Sequence, residues 1–395
     1  MPVDKAQTPL SVKIITSMAL ATIFLYALVN SLMNVVVNHV VDGFSLEGTS
    51  QGLMSSMVSV GGMLALLVAP LVQGRVGKVT VLLFSAVFQA IMLIVCGLSP
   101  MFLLFCVACV LLGSGGGLMD AYANSMLADV HKENSNRYFG YLHGLFGVGS
   151  LVAPLLFAPL LSTIGWRETF FVVAAVLLAG VGALKLFTRK IQATEMEQAT
   201  QEKVLTLRDL LAYGKDSRNM MMLAVGAFAT ATQTGILAWI MRYMALRFDA
   251  EGLGMASISL FWICATINRF SVTRLKIAPL RLLVIGGALV ALCLGAGVLS
   301  GSGWGMCVAM GGLGLVSGHF MQVIFSEANK GHDGQTTLAT SAMIVVMGLV
   351  RSLVPLLMAW TTAAVSVSLG MMIPAVTALG VLCIGLLLER QEKRA

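Results

Sequence analysis

Charged residues are scarce in this sequence, since Asp, Glu, Lys and Arg make up only 11% of its 395 residues. Soluble domains carry about 25% charged residues, so a soluble enzyme of this length would lack a sufficient polar surface. Disorder is excluded as well, because disordered segments combine high charge with low hydrophobicity. Hydrophobic residues account for 58% of the chain. This balance predicts an all-α protein that crosses a membrane many times and has the lipid bilayer as a partner.

Motifs for enzyme chemistry are also lacking. The seven Cys lie in apolar runs without a C-x-x-C pair or a His at ligand spacing, which favours core thiols over disulfides or metal sites. No P-loop, zinc signature, nucleophile triad or dinucleotide fingerprint is present. The net charge of +7 is spread over short gaps, whereas a nucleic-acid-binding protein concentrates it in a patch. We therefore predict no enzyme activity, no cofactor and no nucleic-acid partner.

Long apolar runs dominate the sequence, and about 20 apolar residues suffice to cross a bilayer as a helix. Of the 25 Lys and Arg, 21 lie in the two terminal tails and in every second connection between the apolar runs. Three lie in the remaining connections, on the opposite side of the membrane. The positive-inside rule then predicts that both termini are cytoplasmic, in a plasma (inner) membrane. The twelve predicted spans are 14–40, 51–72, 79–98, 101–128, 137–163, 167–187, 219–246, 254–272, 281–299, 303–327, 336–360 and 366–388.

The longest polar stretch, 188–218, divides the chain into two bundles of six spans, at 1–187 and 219–395. Near its end, a capping-box-like pattern begins at Thr206. This pattern predicts a short amphipathic helix on the cytoplasmic face. A plain linker is the alternative. The two bundles also repeat, because four Gly and Pro positions recur at an offset of 201 residues. Repeated six-helix halves are typical of transporters that alternate around a central site. The recurring pairs are Gly113 and Gly314, Gly117 and Gly318, Gly147 and Gly348, and Pro154 and Pro355.

Spans 4, 5, 7 and 8 carry more specific patterns. Span 4 reads GSGGGLMDAYAN over 113–124, and span 5 reads LHGLFGVG over 142–149. Spans 7 and 8 add Gln233-Thr-Gly with Trp239, and Trp262 followed by Thr-Ile-Asn-Arg at 266–269. With these motifs the chain resembles the major facilitator superfamily, and within it the fucose:proton symporter family and related sugar permeases. The resemblance implies a twelve-helix fold in two pseudo-symmetric six-helix bundles and uptake of a sugar or related solute with protons.

The chain departs from the family patterns at several positions. Gly74 stands where the loop between spans 2 and 3 usually carries an acidic residue before Arg75, and relatives often have Glu where Gln233 stands. The antiporter signature of span 5 is replaced by Ala153-Pro154-Leu-Leu. Its absence favours uptake over efflux.

Two ionisable residues lie deep in predicted spans, where charge costs at least about 2.5–3.5 kcal/mol on insertion scales. Asp120 lies about 13 Å from the cytoplasmic end of span 4, and Arg351 about 22 Å from that side in span 11. We predict that Asp120 couples transport to protons, as the resemblance implies for the acidic residue of span 4. We predict either that Asp120 and Arg351 pair with each other or that one of them contacts the substrate. His143 is a second candidate for proton coupling, because imidazole titrates near 6.5; a packed, satisfied His is the alternative.

Polar and aromatic residues inside the spans predict the substrate site, because amides bind hydroxyl groups and rings stack on sugars. On one face of span 1, Asn residues recur at a spacing of four, facing either a cavity or a neighbouring helix. Charged residues near the cytoplasmic ends are predicted to pair as gate residues, which close that side of the cavity. The predicted substrate-binding residues are Asn34, Asn38, Asn124, Gln233, Trp239, Trp262, Gln322 and Arg351, and the predicted gate residues are Asp129, Glu327, Arg75 and Arg269.

The sequence thus predicts a monomeric secondary transporter for a small polar solute, driven by an ion gradient in which the proton is the expected ion. Two other transport functions stay open. Arg351 would suit an organic anion, and an apolar, Met-rich cavity would suit proton-driven efflux of amphipathic compounds. A non-transporting sensor would need a soluble output domain, for which 188–218 is too short.

Overall fold

The computed structural model describes residues 9–46, 51–72, 75–188, 208, 212–332 and 335–393. Over these residues the chain is helical, with short turns and no strand. The all-α class expected from composition is confirmed, because the predicted spans form helices over the described residues. Most of the predicted segment 188–218 lies outside the described residues.

Thirteen α-helices have their bounds within the described residues, and most begin and end within a few residues of a predicted span. They are α1 (Pro9–Gly43), α2 (Gln51–Val72), α3 (Lys78–Leu98), α4 (Phe102–Val130), α5 (Ser135–Ile164), α6 (Trp166–Thr188), α7 (Ser217–Phe248), α8 (Glu251–Ser271), α9 (Pro279–Leu299), α10 (Gly303–Ser317), α11 (Phe320–Asn329), α12 (Thr336–Ala364) and α13 (Val367–Glu392).

Ten stretches of the described chain are long and apolar enough to cross a membrane. One of them, Gly303–Asn329, contains both α10 and α11. The two remaining predicted spans form α2 and α8. A helix therefore lies at each predicted span, and the protein is a multi-pass membrane protein.

The recurring glycines let helices approach closely in each half of the chain. A Cβ at Gly113 of α4 would collide with the carbonyl oxygen of Val58 on α2. In the second half, a Cβ at Gly314 of α10 would collide with the carbonyl oxygen of Phe261 on α8. One turn later, Gly117 and Gly318 meet the backbones of the same partner helices. Small residues four apart allow such backbone contact, so the sequence repeat is a repeat of helix packing.

The described residues group into two compact units. The first unit holds the described residues within Met1–Ser135, Leu145–Leu210 and Asn329–Ile344. The second unit holds Asn136–Gly144, Leu211–Ala328 and Val345–Ala395. The first turns of α5 thus belong to the second unit, and those of α12 belong to the first. The predicted division at 188–218 stays a prediction.

Candidate functional site

In the first unit, a carboxylate and an amide pair one turn apart on α4. Spacing i, i+4 places Asn124 on the same helix face as Asp120. The Asn124 Nδ2 donates to the Asp120 Oδ1 and to the Asp120 carbonyl oxygen, both at 2.8 Å. Asp120 is half-buried and Asn124 is fully buried. Within the described chain, the Asn124 Oδ1 has no hydrogen-bond partner, so this oxygen can accept from a further donor.

A second polar cluster of the first unit joins α3, α4 and the start of α12. The Lys78 Nζ lies 2.7 Å from the Asp129 Oδ2 and 2.6 Å from the Thr336 Oγ1. The Thr336 hydroxyl donates to the Asp129 Oδ1 at 2.8 Å. Asp129, predicted as a gate residue, therefore pairs with Lys78, whereas the predicted gate residue Arg75 is exposed. Lys78 and Thr336 were not predicted as site residues. Lys78 is one of two basic residues in a short connection between spans, so the sequence alone does not distinguish it from Arg75.

In the second unit, the predicted span 303–327 is interrupted at Gly318 and His319, where α10 ends and α11 begins. Two side chains bind the carbonyl groups at the end of α10. The Gln233 Nε2 donates to the Ser317 carbonyl oxygen at 2.8 Å, and the Arg269 Nε donates to the Gly318 carbonyl oxygen at 2.9 Å. Irregular backbone is tolerated in a membrane helix when its polar groups find such partners. Interrupted helices mark binding sites in many transporters.

The His319 side chain holds the other side of this break. Its Nδ1 lies 3.1 Å from the Asn268 Oδ1, and its Nε2 lies 3.1 Å from the Leu282 carbonyl oxygen. The Asn268 Nδ2 in turn donates to the Leu315 carbonyl oxygen at 2.7 Å. The break is thus tied to α8 and α9. The sequence signal for it was a Gly-His pair inside an apolar run.

Three predicted site residues meet beside the break. The Arg269 guanidinium donates through Nη1 to the His143 carbonyl oxygen at 2.9 Å and lies 5.4 Å from the Trp262 ring centroid. The His143 ring stacks on Phe325 of α11, with ring centroids 5.4 Å apart. The first turns of α5 therefore pack on α8 and α11 within the second unit.

Several predicted side chains of the second unit are buried without hydrogen-bond partners in the part of the chain that the structure describes. These atoms are both amide atoms of Gln322, the His143 Nε2 and the Trp239 Nε1. Buried polar groups are normally paired in folded proteins, so such groups are candidates for binding a ligand or water. They are the atoms of the second unit whose hydrogen-bonding capacity a solute could use.

The remaining predicted residues lie apart from these clusters. Glu327 is buried and its carboxylate lies 3.3 Å from the Arg218 Nη2, so its pairing partner is a residue that the sequence did not single out. Arg351 is exposed. Asp120 and Arg351 belong to different units, and their pairing stays a prediction. The side chains of Asn34 and Asn38 lie outside the described residues. Over the described chain, no cluster of three His, Cys, Asp or Glu side chains could hold a metal ion.

Comparison with known proteins identifies the family to which this chain belongs. The profile of the Major Facilitator Superfamily matches residues 18–355. The chain therefore belongs to the Major Facilitator Superfamily, and it is a transporter rather than an enzyme.

Solved structures show the same fold at low sequence identity. The Escherichia coli fucose:proton symporter FucP, in its outward conformation, matches with a TM-score of 0.78 at 16% identity, covering 96% of this chain and 99% of that chain. The proton:xylose symporter XylE bound to 6-bromo-6-deoxy-D-glucose matches with a TM-score of 0.70 at 13% identity, covering 94% of each chain.

Relatives found by sequence match shorter stretches. An uncharacterised MFS-type transporter of Mycobacterium tuberculosis is 31% identical over 121 residues, covering 30% of this chain and 18% of that protein. The multidrug resistance protein MdtG of Citrobacter koseri is 27% identical over 186 residues, covering 47% of this chain and 45% of MdtG. The chain thus spans less than half the length of these curated relatives.

Proposed function

We propose that this transporter takes up a small polar solute, of the sugar class or related to it, together with protons. The observation that carries the proposal is the pairing of the Asp120 carboxylate with the Asn124 amide inside α4. The likeness of the fold to two sugar:proton symporters supports the substrate class. The proposal includes an inner-membrane location with both termini cytoplasmic, and a monomeric carrier.

The Asp120–Asn124 pair responds to a proton by a change in hydrogen bonding. The ionised carboxylate accepts from the Asn124 Nδ2, as observed. The protonated acid can instead donate to an amide oxygen, and the Asn124 Oδ1 is free to accept after rotation of the amide. Protonation also removes a charge whose presence in the membrane is costly. The pair therefore converts proton binding into a local rearrangement of α4, which biases alternating access.

Uptake by proteoliposomes with an imposed pH gradient tests this proposal, with radiolabelled sugars as probes. Asp120→Asn preserves the shape of the side chain and removes its charge. We expect the variant to lose acceleration of uptake by the gradient but to retain exchange of solute across the membrane. Asp249→Asn is the matched control, because Asp249 is exposed at the C-terminus of α7 with φ 51°, which Asn tolerates. Gradient-driven uptake by Asp120→Asn equal to that of the wild type would refute the proposal.

Export of amphipathic compounds is a second candidate, favoured by the likeness to MdtG. A drug-susceptibility comparison of cells with and without the protein separates the two functions. An exporter lowers susceptibility when it is present, whereas a sugar importer leaves susceptibility unchanged and changes growth on the transported solute.

A further inference from the structure

The second unit contains a buried positive charge that has no counter-ion among the described residues. Arg269 is 4% exposed. The partly buried Arg218 and the exposed Arg281 each pair with a carboxylate, but no described carboxylate lies within 4 Å of the Arg269 nitrogens. Desolvating an unpaired charge is strongly unfavourable. Such a position is stable only if other polar groups or a ligand compensate it.

The protein supplies only part of that compensation. The Arg269 Nε and Nη1 each donate to one carbonyl oxygen. A guanidinium has five N–H donors in a planar fork, so three donors have no acceptor among the described residues. The Trp262 ring contributes a cation–π contact. None of these groups carries a negative charge.

Two further polar side chains with unused hydrogen-bonding capacity lie against the same helix turn. A Cβ at Gly140 on α5 would lie 3.1 Å from both the Gln322 Oε1 and the Arg269 carbonyl oxygen. Because residue 140 is Gly, α5 packs closely on α8 and α11 here. One turn along α5, His143 stacks on Phe325, which lies one turn after Gln322 on α11. Gln322 is 0% exposed and His143 is 9% exposed. The Gln322 amide and the His143 Nε2 have no hydrogen-bond partner among the residues that the structure describes.

We propose that Arg269, His143 and Gln322 form a binding site for the oxyanion, a carboxylate or a phosphate, of a small hydroxylated solute. This inference rests on the proposed function and narrows its substrate to an acidic member of the sugar class. A guanidinium binds such oxyanions through two parallel hydrogen bonds. The Gln322 amide and the His143 Nε2–H donate to the remaining oxygen lone pairs. The exposed Arg351 is then not required for anion binding.

Binding to the purified, detergent-solubilised protein tests the site without transport. The probes are D-gluconate, D-glucuronate and D-glucose 6-phosphate, with D-glucose as the neutral counterpart, at millimolar concentration. A ligand raises the melting temperature according to its Kd, and titration calorimetry measures that Kd directly. We expect at least one acidic probe to raise the melting temperature more than D-glucose does. The carboxylate and phosphate probes identify which oxyanion the site prefers.

Three variants locate the site. Arg269→Gln removes the charge and should weaken binding of the acidic probe about 30-fold or more. Gln322→Met removes an amide that makes no hydrogen bond, so the protein without ligand should melt at the same or a higher temperature while affinity falls. Arg242→Gln is the matched control, because Arg242 is an exposed cation of the same unit; its affinity should equal that of the wild type.

Several outcomes would overturn the inference. These are equal affinity for the acidic and neutral probes, absence of binding by all acidic probes, or wild-type affinity in Arg269→Gln. If Arg269→Gln does not fold, Gln322→Met decides, and unchanged affinity or a lower melting temperature in that variant rejects the site. Loss of binding in Arg351→Gln with retention in Arg269→Gln would assign the anion to Arg351. Failure of the proposed function gives a different result from failure of this site. In that case uptake would be independent of the pH gradient, while equilibrium binding of the acidic probe would persist.

Discussion

At the residue scale, the buried charges of this protein differ in how they are compensated. Lys78, only 2% exposed, is compensated by Asp129 and Thr336 together. Glu327 is compensated by Arg218. Removing one partner of such a pair costs about 3–5 kcal/mol, because it leaves the other charge buried alone. Arg269 has only neutral partners among the described residues, which distinguishes a residue available for a ligand from residues that maintain the fold.

His131, which follows the last residue of α4, predicts a pH dependence of stability. Its Nε2 lies 2.6 Å from the Thr16 Oγ1, whose own hydrogen is donated to the Val12 carbonyl oxygen, so the ring is the donor. Partial burial lowers the pKa of His131 from 6.5 to about 4. Between these pH values the unfolded chain binds a proton at His131 and the folded protein does not. The contribution of His131 to stability is therefore fully present above about pH 6.5 and is lost as the pH falls toward 4.

We therefore expect His131→Gln to flatten the dependence of the melting temperature on pH between 6.5 and 4. The change in free energy of unfolding across this window should be about 1 kcal/mol, less than the full shift implies, because solvent screens a half-exposed ring. Thermal unfolding of the solubilised protein at a series of pH values measures it. His39→Gln, at an exposed position of α1, is the control. An unchanged slope in His131→Gln would show that other groups cause the acid sensitivity.

At the scale of the helices, glycines determine which pairs of helices can touch. Gly314→Ala should destabilise the protein by about 1–3 kcal/mol, as overpacking does, because the new Cβ would collide with the Phe261 carbonyl oxygen, which cannot rotate away. A Cβ at Gly295 on α9 meets no described residue within 4 Å, so Gly295→Ala should gain up to about 1 kcal/mol from helix propensity. Melting temperatures of the two variants decide. Equal effects would mean that α10 does not pack on α8 through this glycine.

The helices could be predicted from sequence, whereas several of their side-chain partners could not. Hydropathy over 20 residues is a local property, so it predicted the spans, and the offset of 201 residues predicted the glycines that share a packing role. The break at Gly318 and His319 depends on partners from α7, α8 and α9, which no local pattern reveals. Likewise, the choice of Lys78 over Arg75 as the partner of Asp129 depends on how the turn before α3 directs each side chain.

For the whole molecule, the distribution of basic residues predicts the orientation in the membrane. The side with few cations has Arg167, Arg242 and Arg247, and Arg167 is engaged with the Gly97 and Ser99 carbonyl oxygens at the turn between α3 and α4. These three cations, against 21 on the other side, give the asymmetry on which the positive-inside rule depends.

We expect a fluorescent protein fused after residue 393 to fluoresce, because it folds in the cytoplasm, and alkaline phosphatase fused there to be inactive. Fusions at Gly165, in the turn between α5 and α6, should give the opposite pair of results, because one span separates that turn from the cytoplasmic side. Paired reporters at both sites make the test internally controlled. Active phosphatase after residue 393 would reverse the orientation. It would also move the Lys78–Asp129–Thr336 cluster to the outer side, where it could not serve as a cytoplasmic gate.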